Sequence, residues 1–180
     1  MKILITGCHG QLGTELQKQL ADEECALGPL PERLRKATVI AVDVDELDIT
    51  DREATVTYIR RTQPDTVINC AAFTNVDGCE TNRDAAYRVN ALAPRNLALA
   101  ADALGAKMVQ FSTDDVFAKA SHHPYNEFDA PAPESLYGKS KLAGEEFVRT
   151  LCHRYLIVRS AWVYGIGRDF VSTVLNAAAD

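Results

Sequence analysis

MKILITGCHGQLG, residues 1–13, is the stretch that decides the fold of this chain. An apolar run gives way to three glycines, Gly7, Gly10 and Gly13, and apolar residues then recur at helical spacing. The pattern predicts a strand, a tight turn and a helix. Glycine suits such a turn because the chain must leave the strand sharply, bring its backbone close to a bound group and pack the helix against the strand.

The start of this helix is a candidate binding site for phosphate groups. Free N–H groups and the helix dipole favour an anion at a helix N-terminus. The spacing GxxGxxG is one residue wider than the GxGxxG fingerprint of dinucleotide-binding turns. A plain turn is the alternative, but glycines placed between an N-terminal strand and a helix favour a cofactor-binding turn.

Composition favours a cytoplasmic protein of one domain. The length of 180 residues fits one domain, and 47% hydrophobic residues are enough for a buried core. No apolar run approaches the roughly 18 to 20 residues of a membrane span, and the apolar start is too short for a signal peptide. The net charge of −6 is spread along the chain, which argues against a nucleic-acid surface. We therefore expect neither a membrane nor a nucleic-acid partner.

The cysteines indicate reduced thiols rather than a disulfide framework. They are odd in number and lack a CxxC pair: Cys8, Cys25, Cys70, Cys79 and Cys152. Cys8 lies within the glycine turn, where a helix N-terminus can activate a thiol, but packing is the simpler interpretation.

Two clusters carry metal-binding residue types without a persuasive ligand spacing. They are His122 and His123 beside Glu127 and Asp129, and the pair Asp114 and Asp115. The histidine cluster belongs to an expected loop, so solvated side chains are the simpler interpretation. The sequence therefore predicts no metal site.

Apolar stretches and helical patterns alternate along the rest of the chain. Further strands are predicted at residues 38–42, 66–72, 107–112 and 155–159. Helices are predicted at residues 52–62, 84–104, 137–152 and 169–179, and loops at 22–36, with a helical turn at 32–35, and at 113–136. Thr50 or Asp51 should cap the helix at 52–62, Pro94 should bend the helix at 84–104, and Gly105 should end it. This alternation predicts an α/β fold of Rossmann type, a doubly wound parallel sheet with helices on both faces and a ligand crevice at the carboxyl ends of its strands.

Candidate binding residues follow the predicted strands. Asp43 ends the second strand, where a dinucleotide-binding domain places the acid that binds ribose. More residues separate Asp43 from the glycines than is usual in dinucleotide-binding domains, and the loop at 22–36 accounts for the additional residues. A turn residue without a ligand is the alternative for Asp43. Small residues end the third strand, and Ser112 and Thr113 end the fourth.

Tyr137 and Lys141 form a second candidate constellation. They lie four residues apart at the start of a predicted helix, so both project from one face. A neighbouring ammonium is expected to lower the pKa of the phenol from its usual value of about 10. Tyr137 could then give a proton to a carbonyl oxygen while Lys141 holds the nicotinamide ribose. Ser112 or Thr113 could hydrogen-bond the same oxygen.

Several segments together resemble the extended short-chain dehydrogenase/reductase superfamily and, within it, the dTDP-4-dehydrorhamnose reductase family. They are ITGCHGQLGTEL, VDVDELDITD, VINCAAFTNVDGCE, YRVNALAPRNLA, FSTDDVF, LYGKSKLAGEE and RSAWVYG. The resemblance extends over essentially the whole chain. It implies that NADH or NADPH reduces the 4-keto group of dTDP-4-dehydro-L-rhamnose to give dTDP-L-rhamnose, a step of nucleotide-sugar biosynthesis.

The resemblance also implies roles for individual residues. The turn that faces the cofactor pyrophosphate corresponds to Gly7, Gly10, Gln11, Leu12 and Gly13. The other cofactor contacts correspond to Asp43 for the adenosine ribose, Asp48 and Ile49 for the adenine, and Ala72, Phe73, Thr74 and Phe111 further along. Tyr137 and Lys141 correspond to the catalytic pair and Thr113 to the third catalytic residue. Positions that touch the nucleotide-sugar correspond to Thr113, Asp114 and Trp162.

The chain departs from the family's pattern near the expected substrate site. Asp115 replaces an aromatic residue, Ala118-Lys119 replaces Asp-Gly, Ala161 stands where serine is usual, and Arg168-Asp169 replaces a polar pair. Members of the family continue beyond the equivalent of residue 180 into a lobe that forms part of the nucleotide-sugar pocket. We therefore expect residues 1–180 to be the NAD(P)-binding domain, the N-terminal part of a longer reductase fold, with the C-terminal substrate lobe largely absent.

Alternatives stay open at this point. The residues also fit another nucleotide-sugar epimerase or reductase, and a non-catalytic NAD(P)-binding regulatory subunit resembling the beta subunit of methionine adenosyltransferase shares the fold. The intact set of Tyr137, Lys141 and Thr113 weighs against the subunit. Asp43 favours NADH because it repels a 2′-phosphate, although His9 or Lys36 could offset its charge. A homodimer is among the assemblies that the resemblance allows.

Overall fold

The computed structural model describes residues 1–117, 123–165 and 170–179. Its strands are β1 Lys2–Thr6, β2 Glu24–Cys25, β3 Gly28–Pro29, β4 Thr38–Val42, β5 Thr66–Asn69, β6 Lys107–Thr113 and β7 Tyr155–Ser160. Five of them form one parallel sheet in the order β4-β1-β5-β6-β7, while β2 and β3 form an antiparallel hairpin. The doubly wound parallel sheet expected from the sequence is confirmed.

Helices connect the strands of the parallel sheet. They are α1 Gln11–Asp22, α2 Glu32–Arg35, α3 Arg52–Thr62, α4 Val76–Thr81, α5 Arg83–Tyr87, α6 Ala93–Asp102, α7 Leu136–Leu151 and α8 Phe170–Ala177. A π-helical turn, Arg88–Leu92, joins α5 to α6, and a 3₁₀ turn, Asp114–Val116, follows β6. No helix in the described part of the chain has both the length and the apolar surface needed to cross a membrane.

The direction of winding reverses beside β1. The chain leaves β1, forms β4 on one side of it and returns to form β5 on the other side. Leu4 consequently lies between Ile40 of β4 and Val67 of β5. In open parallel sheets such a reversal separates two loops and opens a crevice at the carboxyl ends of the strands. The glycines that follow β1 therefore lie at the edge of that crevice.

The hydrophobic core is centred on β1. Ile3, Leu4 and Ile5 are at most 2% exposed, as expected for a continuous apolar strand that is covered on both faces. Leu4 belongs to the same buried cluster as Ile59 of α3 and Leu97 of α6. Full burial of one such side chain stabilises the fold by about 1.5–3 kcal/mol. This packing holds the crevice-forming end of β1 in place.

Local chemistry sets the ends of the helices as the sequence predicts. The side chain of Asp51 accepts hydrogen bonds from the backbone N–H groups of Glu53 and Ala54 and so caps α3. Pro94 lies in the first turn of α6, directly after the π-helical turn, so the predicted break in the helix at 84–104 is confirmed. Gly105, at a φ of +65°, follows α6 in the left-handed conformation that favours glycine.

Three local predictions are wrong. The strand predicted at 66–72 ends at Asn69, because the Asn69 side chain accepts the N–H of Ala71 and turns the chain out of the sheet. The predicted loop at 22–36 contains the β2–β3 hairpin in addition to the expected turn α2. Helix α4 was not predicted, since it is short and begins with an Asn75 cap rather than an apolar repeat.

Several sequence-based expectations concern residues that the structure does not describe. They are the departures from the family pattern at Ala118, Lys119, Arg168 and Asp169, and the candidate metal ligand His122.

Candidate active site

A cavity of about 1210 Å³ opens at the carboxyl ends of β1, β4, β5 and β6. With one exception, every residue to which the sequence analysis gives a catalytic, cofactor or substrate role lies on its wall. The exception is Phe73, whose backbone N–H and C=O are both bonded to the side chain of Asn90. The structure thus brings together residues from six separate parts of the chain, while Phe73 is not among those that line the cavity.

The glycine turn, residues 7–13, is built by close backbone contacts. Gly7 has a φ of +70°, and a Cβ on it would lie 2.6 Å from the backbone nitrogen of Ala71. A Cβ on Gly13 would lie 2.3 Å from the carbonyl oxygen of Gly7. Gly10, which caps α1, is different, because its nearest such contact is 3.4 Å. Gly7 and Gly13 therefore shape the turn, whereas Gly10 leaves its cavity face open.

The first turn of α1 presents polar groups to the cavity. The first N–H groups of any α-helix lack partners within that helix. The side-chain Nε2 of Gln11 is also buried without a hydrogen-bond partner among the described residues. Such orphaned donors are costly unless a polar group binds them. The turn is therefore suited to an anionic ligand such as a pyrophosphate.

Asp43 lies beside the glycine turn at the end of β4. Its carboxylate accepts the N–H of His9 at 2.9 Å and that of Val44 at 2.9 Å. Nδ1 of His9 lies 3.8 Å from the same carboxylate, whereas Lys36 pairs with Glu32 on α2. Of the two cations considered from sequence, His9 is the one placed to offset the charge of Asp43.

Cys8 is a buried thiol next to this carboxylate. Burial, together with the negative charges of Asp43 and Glu46, raises its pKa. A protonated, buried thiol agrees with the sequence-based interpretation of Cys8 as a packing residue.

Tyr137 projects from the first turn of α7 toward β6. The Ser135 side chain caps α7 by accepting the N–H of Gly138. Gly138 allows α7 to pack closely against the turn after β6, because a Cβ at this position would lie only 2.3 Å from the carbonyl oxygen of Asp115. This approach places Tyr137 beside Thr113 on the cavity wall. Two of the three predicted catalytic residues thus lie next to each other.

The pKa of Tyr137 differs from the sequence-based expectation. Burial raises it to about 12, and the charges of Asp115 and Asp114 act in the same direction, while the neighbouring Thr113 side chain acts to lower it. The expected lowering by Lys141 is therefore wrong for this structure. The reason is that the Lys141 ammonium points to the backbone of β6, where its Nζ donates to the carbonyl oxygen of Phe111 at 2.7 Å. Tyr137 therefore holds its proton at neutral pH.

Lys141 is a buried cation at the inner wall. It is only 4% exposed, and burial lowers its pKa to about 8, against the attraction of Glu145 and Cys70. Cys70 in turn has its pKa raised to about 12 by burial. An ammonium held in such surroundings keeps a fixed position, because its hydrogen bond to Phe111 compensates part of its lost hydration.

A polar ladder of three side chains crosses the sheet behind Lys141. Thr6 donates to Asn69 at 2.7 Å, and Asn69 donates to Gln110 at 2.8 Å. Gln110 donates at 2.7 Å to the carbonyl oxygen of Phe111, the same oxygen that binds Lys141. The ladder therefore connects the strand that precedes the glycine turn to the catalytic candidate on α7.

Asn90, in the π-helical turn, fixes the other side of α7. Its Nδ2 donates to Phe73 and to the hydroxyl of Ser140, both at 3.0 Å. Gly144 allows α7 to approach this turn, since a Cβ there would lie 2.2 Å from the carbonyl oxygen of Asn90. π-helical turns recur at functional sites, where they point a side chain that a regular helix would turn away.

A buried ion pair lies one helical turn beyond Lys141. Glu145 is fully buried, and its carboxylate accepts two hydrogen bonds from Arg159 of β7, at 3.0 and 2.6 Å. The Arg159 guanidinium also lies over the ring of Phe117, which stacks on Tyr125. The ion pair therefore ties α7 to β7 and to the segment after β6.

Sequence reasoning missed the residues that support the site. They are Asn69, Asn90, Gln110, Glu145 and Arg159. For Asn69 and Gln110 a signal was present, since each is an amide within an apolar strand pattern and the two are register partners in neighbouring strands. Glu145 follows Lys141 by four residues on one helix face. Its partner Arg159 lies on another strand, which no spacing rule connects to it.

The side chains expected to meet a sugar lie at the outer wall. Asp114 accepts the Thr113 hydroxyl at 3.1 Å, and Trp162 is 66% exposed. Ser112, the alternative to Thr113, also lines the cavity, and its Oγ is buried without a partner among the described residues.

Comparison with known proteins agrees with this geometry. The sequence profile of the family described as RmlD substrate binding domain matches residues 1–180. The chain is 41% identical over 184 residues to a dTDP-4-dehydrorhamnose reductase of Mycobacterium tuberculosis, covering 99% of this chain and 56% of that protein.

Two solved structures of dTDP-4-dehydrorhamnose reductases are closely similar. The one from Clostridium acetobutylicum has 48% identity and a TM-score of 0.90 and is matched over 99% of this chain and 60% of its own. The one from Bacillus anthracis, in complex with NADP, has 39% identity and a TM-score of 0.88, over 99% and 59%. The chain thus spans less than two thirds of the length of these relatives.

Proposed function

The chain belongs to the RmlD substrate binding domain family, and we propose from this membership that it carries the dinucleotide-binding part of a dTDP-4-dehydrorhamnose reductase. The reaction is the NAD(P)H-dependent reduction of the 4-keto group of dTDP-4-dehydro-L-rhamnose to dTDP-L-rhamnose. The observation that carries the proposal is that Tyr137, Thr113 and Lys141 line the same cavity as the glycine turn. A nucleotide-sugar and a reduced dinucleotide are water-soluble, which supports reaction in the cytoplasm.

The residues present fit a dinucleotide. Gly10 and the orphaned Nε2 of Gln11 offer an open, donor-rich surface for the pyrophosphate, which also meets Gly7, Leu12 and Gly13. The adenosine end would lie against Asp43, Asp48 and Ile49. The nicotinamide end would pass Ala72, Thr74 and Phe111 on its way to Tyr137 and Lys141.

The reduced nicotinamide, when bound, supplies a hydride to the carbonyl carbon as the π bond of the carbonyl group breaks. Tyr137, whose pKa burial raises to about 12, holds its proton at neutral pH and gives it to the carbonyl oxygen in the reaction. Thr113 lies beside the phenol, and its hydroxyl can turn away from Asp114 to donate a hydrogen bond to the same oxygen. Lys141, held by the carbonyl oxygen of Phe111, binds the nicotinamide ribose. Asp114 and Trp162 meet the nucleotide-sugar.

Asp43 decides the choice between the two dinucleotides in this proposal. Its carboxylate can accept a free ribose 2′-hydroxyl, which favours NADH, and it repels a 2′-phosphate. We therefore expect the chain to bind NADH more tightly than NADPH.

The first test is a fluorescence titration of the 180-residue chain with NADH and NADPH. Saturable binding that Gly10→Asp abolishes is the expected result, because a carboxylate at the helix N-terminus repels the pyrophosphate. Circular dichroism of the variant confirms that it folds. A folded wild-type chain that binds neither dinucleotide would contradict the assignment of residues 1–180 as an NAD(P)-binding domain.

The second test concerns chemistry and uses a chain of the relatives' full length. Tyr137→Phe should bind the dinucleotide normally but reduce the keto-sugar about 10²–10⁴-fold more slowly, because it removes only the proton donor. If the unaltered longer chain binds dinucleotide and turns over no keto-sugar, the regulatory-subunit alternative replaces the reductase.

A further inference from the structure

Three side chains with metal-binding atoms meet beside the glycine turn. The Sγ of Cys8, a ring nitrogen of His9 and a carboxylate oxygen of Asp43 all lie within 4.8 Å of one another. In the described part of the chain this is the one such group of three. The sequence predicts no metal here, because Asp43 lies 34 residues after His9 and no ligand spacing connects them.

Backbone contacts hold the three side chains together. The N–H of Cys8 donates to the carbonyl oxygen of Val42 at 3.2 Å, which fixes the turn against the end of β4. The N–H of His9 donates to Asp43 at 2.9 Å, and Nδ1 of His9 is 3.8 Å from the same oxygen. The N–H of Asp43 donates to Glu46 at 2.9 Å. The backbone is therefore held in place, and the three ligand atoms already lie within 4.8 Å of one another.

The cluster has the burial and charge that a cation site needs. Cys8 is 5% exposed, whereas the His9 side chain is 67% exposed, so one direction stays open to solvent. Asp43 and Glu46 supply negative charge. Sulfur, imidazole nitrogen and carboxylate oxygen are the ligand types that Zn²⁺ accepts, with three protein ligands leaving a fourth position for water.

We propose that Cys8, His9 and Asp43 bind one Zn²⁺ ion and that the bound ion prevents the dinucleotide from using Asp43. Binding converts the Cys8 thiol to a thiolate, with its proton released to solvent, and leaves His9 neutral. The second half of the proposal rests on the proposed function, since an Asp43 oxygen on zinc is no longer free to accept a ribose hydroxyl. Zinc would then act as an inhibitor that competes with the cofactor.

Cobalt provides a spectroscopic test of the metal site without any dinucleotide. Titration of the reduced chain with Co²⁺ should give one equivalent of bound metal and a thiolate-to-cobalt charge-transfer band, which Zn²⁺ then removes. Cys8→Ser should abolish the band, while Cys25→Ser, which changes a thiol on β2, should leave it intact. His9→Ala alters an exposed side chain that the fold does not need, and it should weaken cobalt binding about tenfold or more. A wild-type chain without the band, or a band that survives both Cys8→Ser and His9→Ala, overturns the site.

Competition separates the two halves of the proposal. Zinc at ten times its own Kd should raise the apparent Kd for NADH about tenfold in the wild-type chain and leave it unchanged in His9→Ala at the same zinc concentration. An NADH affinity that zinc does not change, together with the cobalt band, overturns the competition. If NADH does not bind in the absence of metal, the proposed function fails while the cobalt result still decides the metal site.

Discussion

The two sides of the cavity are built by different means. On the glycine side, α1 and β5 approach the end of β1 through backbone contacts that only Gly7 and Gly13 permit. On the tyrosine side, α7 is fixed to β6 and β7 through the buried side chains of Lys141 and Glu145 and through Arg159, which is 19% exposed. The first side should therefore tolerate no added atom at Gly7 or Gly13, and the second no change of charge.

The largest expected effect is the loss of stability when the ion pair on the tyrosine side is removed. Glu145→Gln should lower the free energy of unfolding by about 3–5 kcal/mol, because it leaves Arg159 buried without its counter-ion. Urea unfolding at neutral pH measures the loss. The matched change Glu146→Gln removes a carboxylate that is 55% exposed and should change stability by less than about 0.5 kcal/mol. Equal losses in the two variants would show that the buried pair has no special role.

On the glycine side, substitution of Gly13 should destabilise the fold much more than substitution of Gly10. Gly13→Ala should cost about 3 kcal/mol of unfolding free energy, since its Cβ would lie 2.3 Å from the Gly7 carbonyl oxygen. Gly10→Ala should cost less than about 1 kcal/mol, because its nearest contact is 3.4 Å and the change only weakens the helix cap. Thermal or urea unfolding of both variants measures the two losses of stability. A Gly10→Ala variant as unstable as Gly13→Ala would contradict the assigned difference.

The polar ladder joins the two sides and should behave as a unit. Asn69→Leu and Gln110→Met should each cost about 1–3 kcal/mol, because each leaves the partner amide buried without its hydrogen bond. The double variant removes both amides and should cost less than the sum of the two. A double-mutant cycle by urea unfolding measures this coupling, and strict additivity would exclude it.

The smallest expected effect is a pH dependence of the unfolding free energy, which Lys141 on the tyrosine side should cause. The pKa of Lys141 is lowered from 10.5 to about 8 by burial, so above pH 8 the unfolded chain binds more protons than the folded chain. Stability contributed by Lys141 therefore rises with pH until the unfolded-state pKa is reached. Between pH 8 and pH 9 the wild type should gain about 1 kcal/mol relative to Lys141→Met. Parallel pH profiles of the two proteins would refute a lowered pKa.

The fold was readable from sequence because its signals are local. Apolar runs separated by helical repeats predict parallel strands, and the turn at residues 7–13 predicts where the crevice opens. Asp51 and Gly105 mark helix ends through short-range hydrogen bonds. The strand predicted at 66–72 was too long because the Asn69 side chain, rather than the apolar pattern, ends it.

Within the candidate site, only the residues that line the cavity could be predicted from the sequence. The glycines, Asp43, Tyr137 and Lys141 follow spacings within single segments, and all line one cavity. Their supports join residues far apart in sequence, such as Asn90 with Ser140, so no local pattern predicts them. The raised pKa of Tyr137 was missed for a related reason, since it depends on burial and on carboxylates that lie on another segment.

The π-helical turn at Arg88–Leu92 makes chain length, together with the identity of Asn90, a quantity that evolution must conserve in this segment. Such a turn holds one residue more than a regular α-helical path between the same ends. Each helical residue rotates the chain by about 100°, so deleting Val89 would restore a continuous helix and swing Asn90 away from Phe73 or Ser140. Homologous chains should therefore keep the number of residues here as strictly as they keep this asparagine.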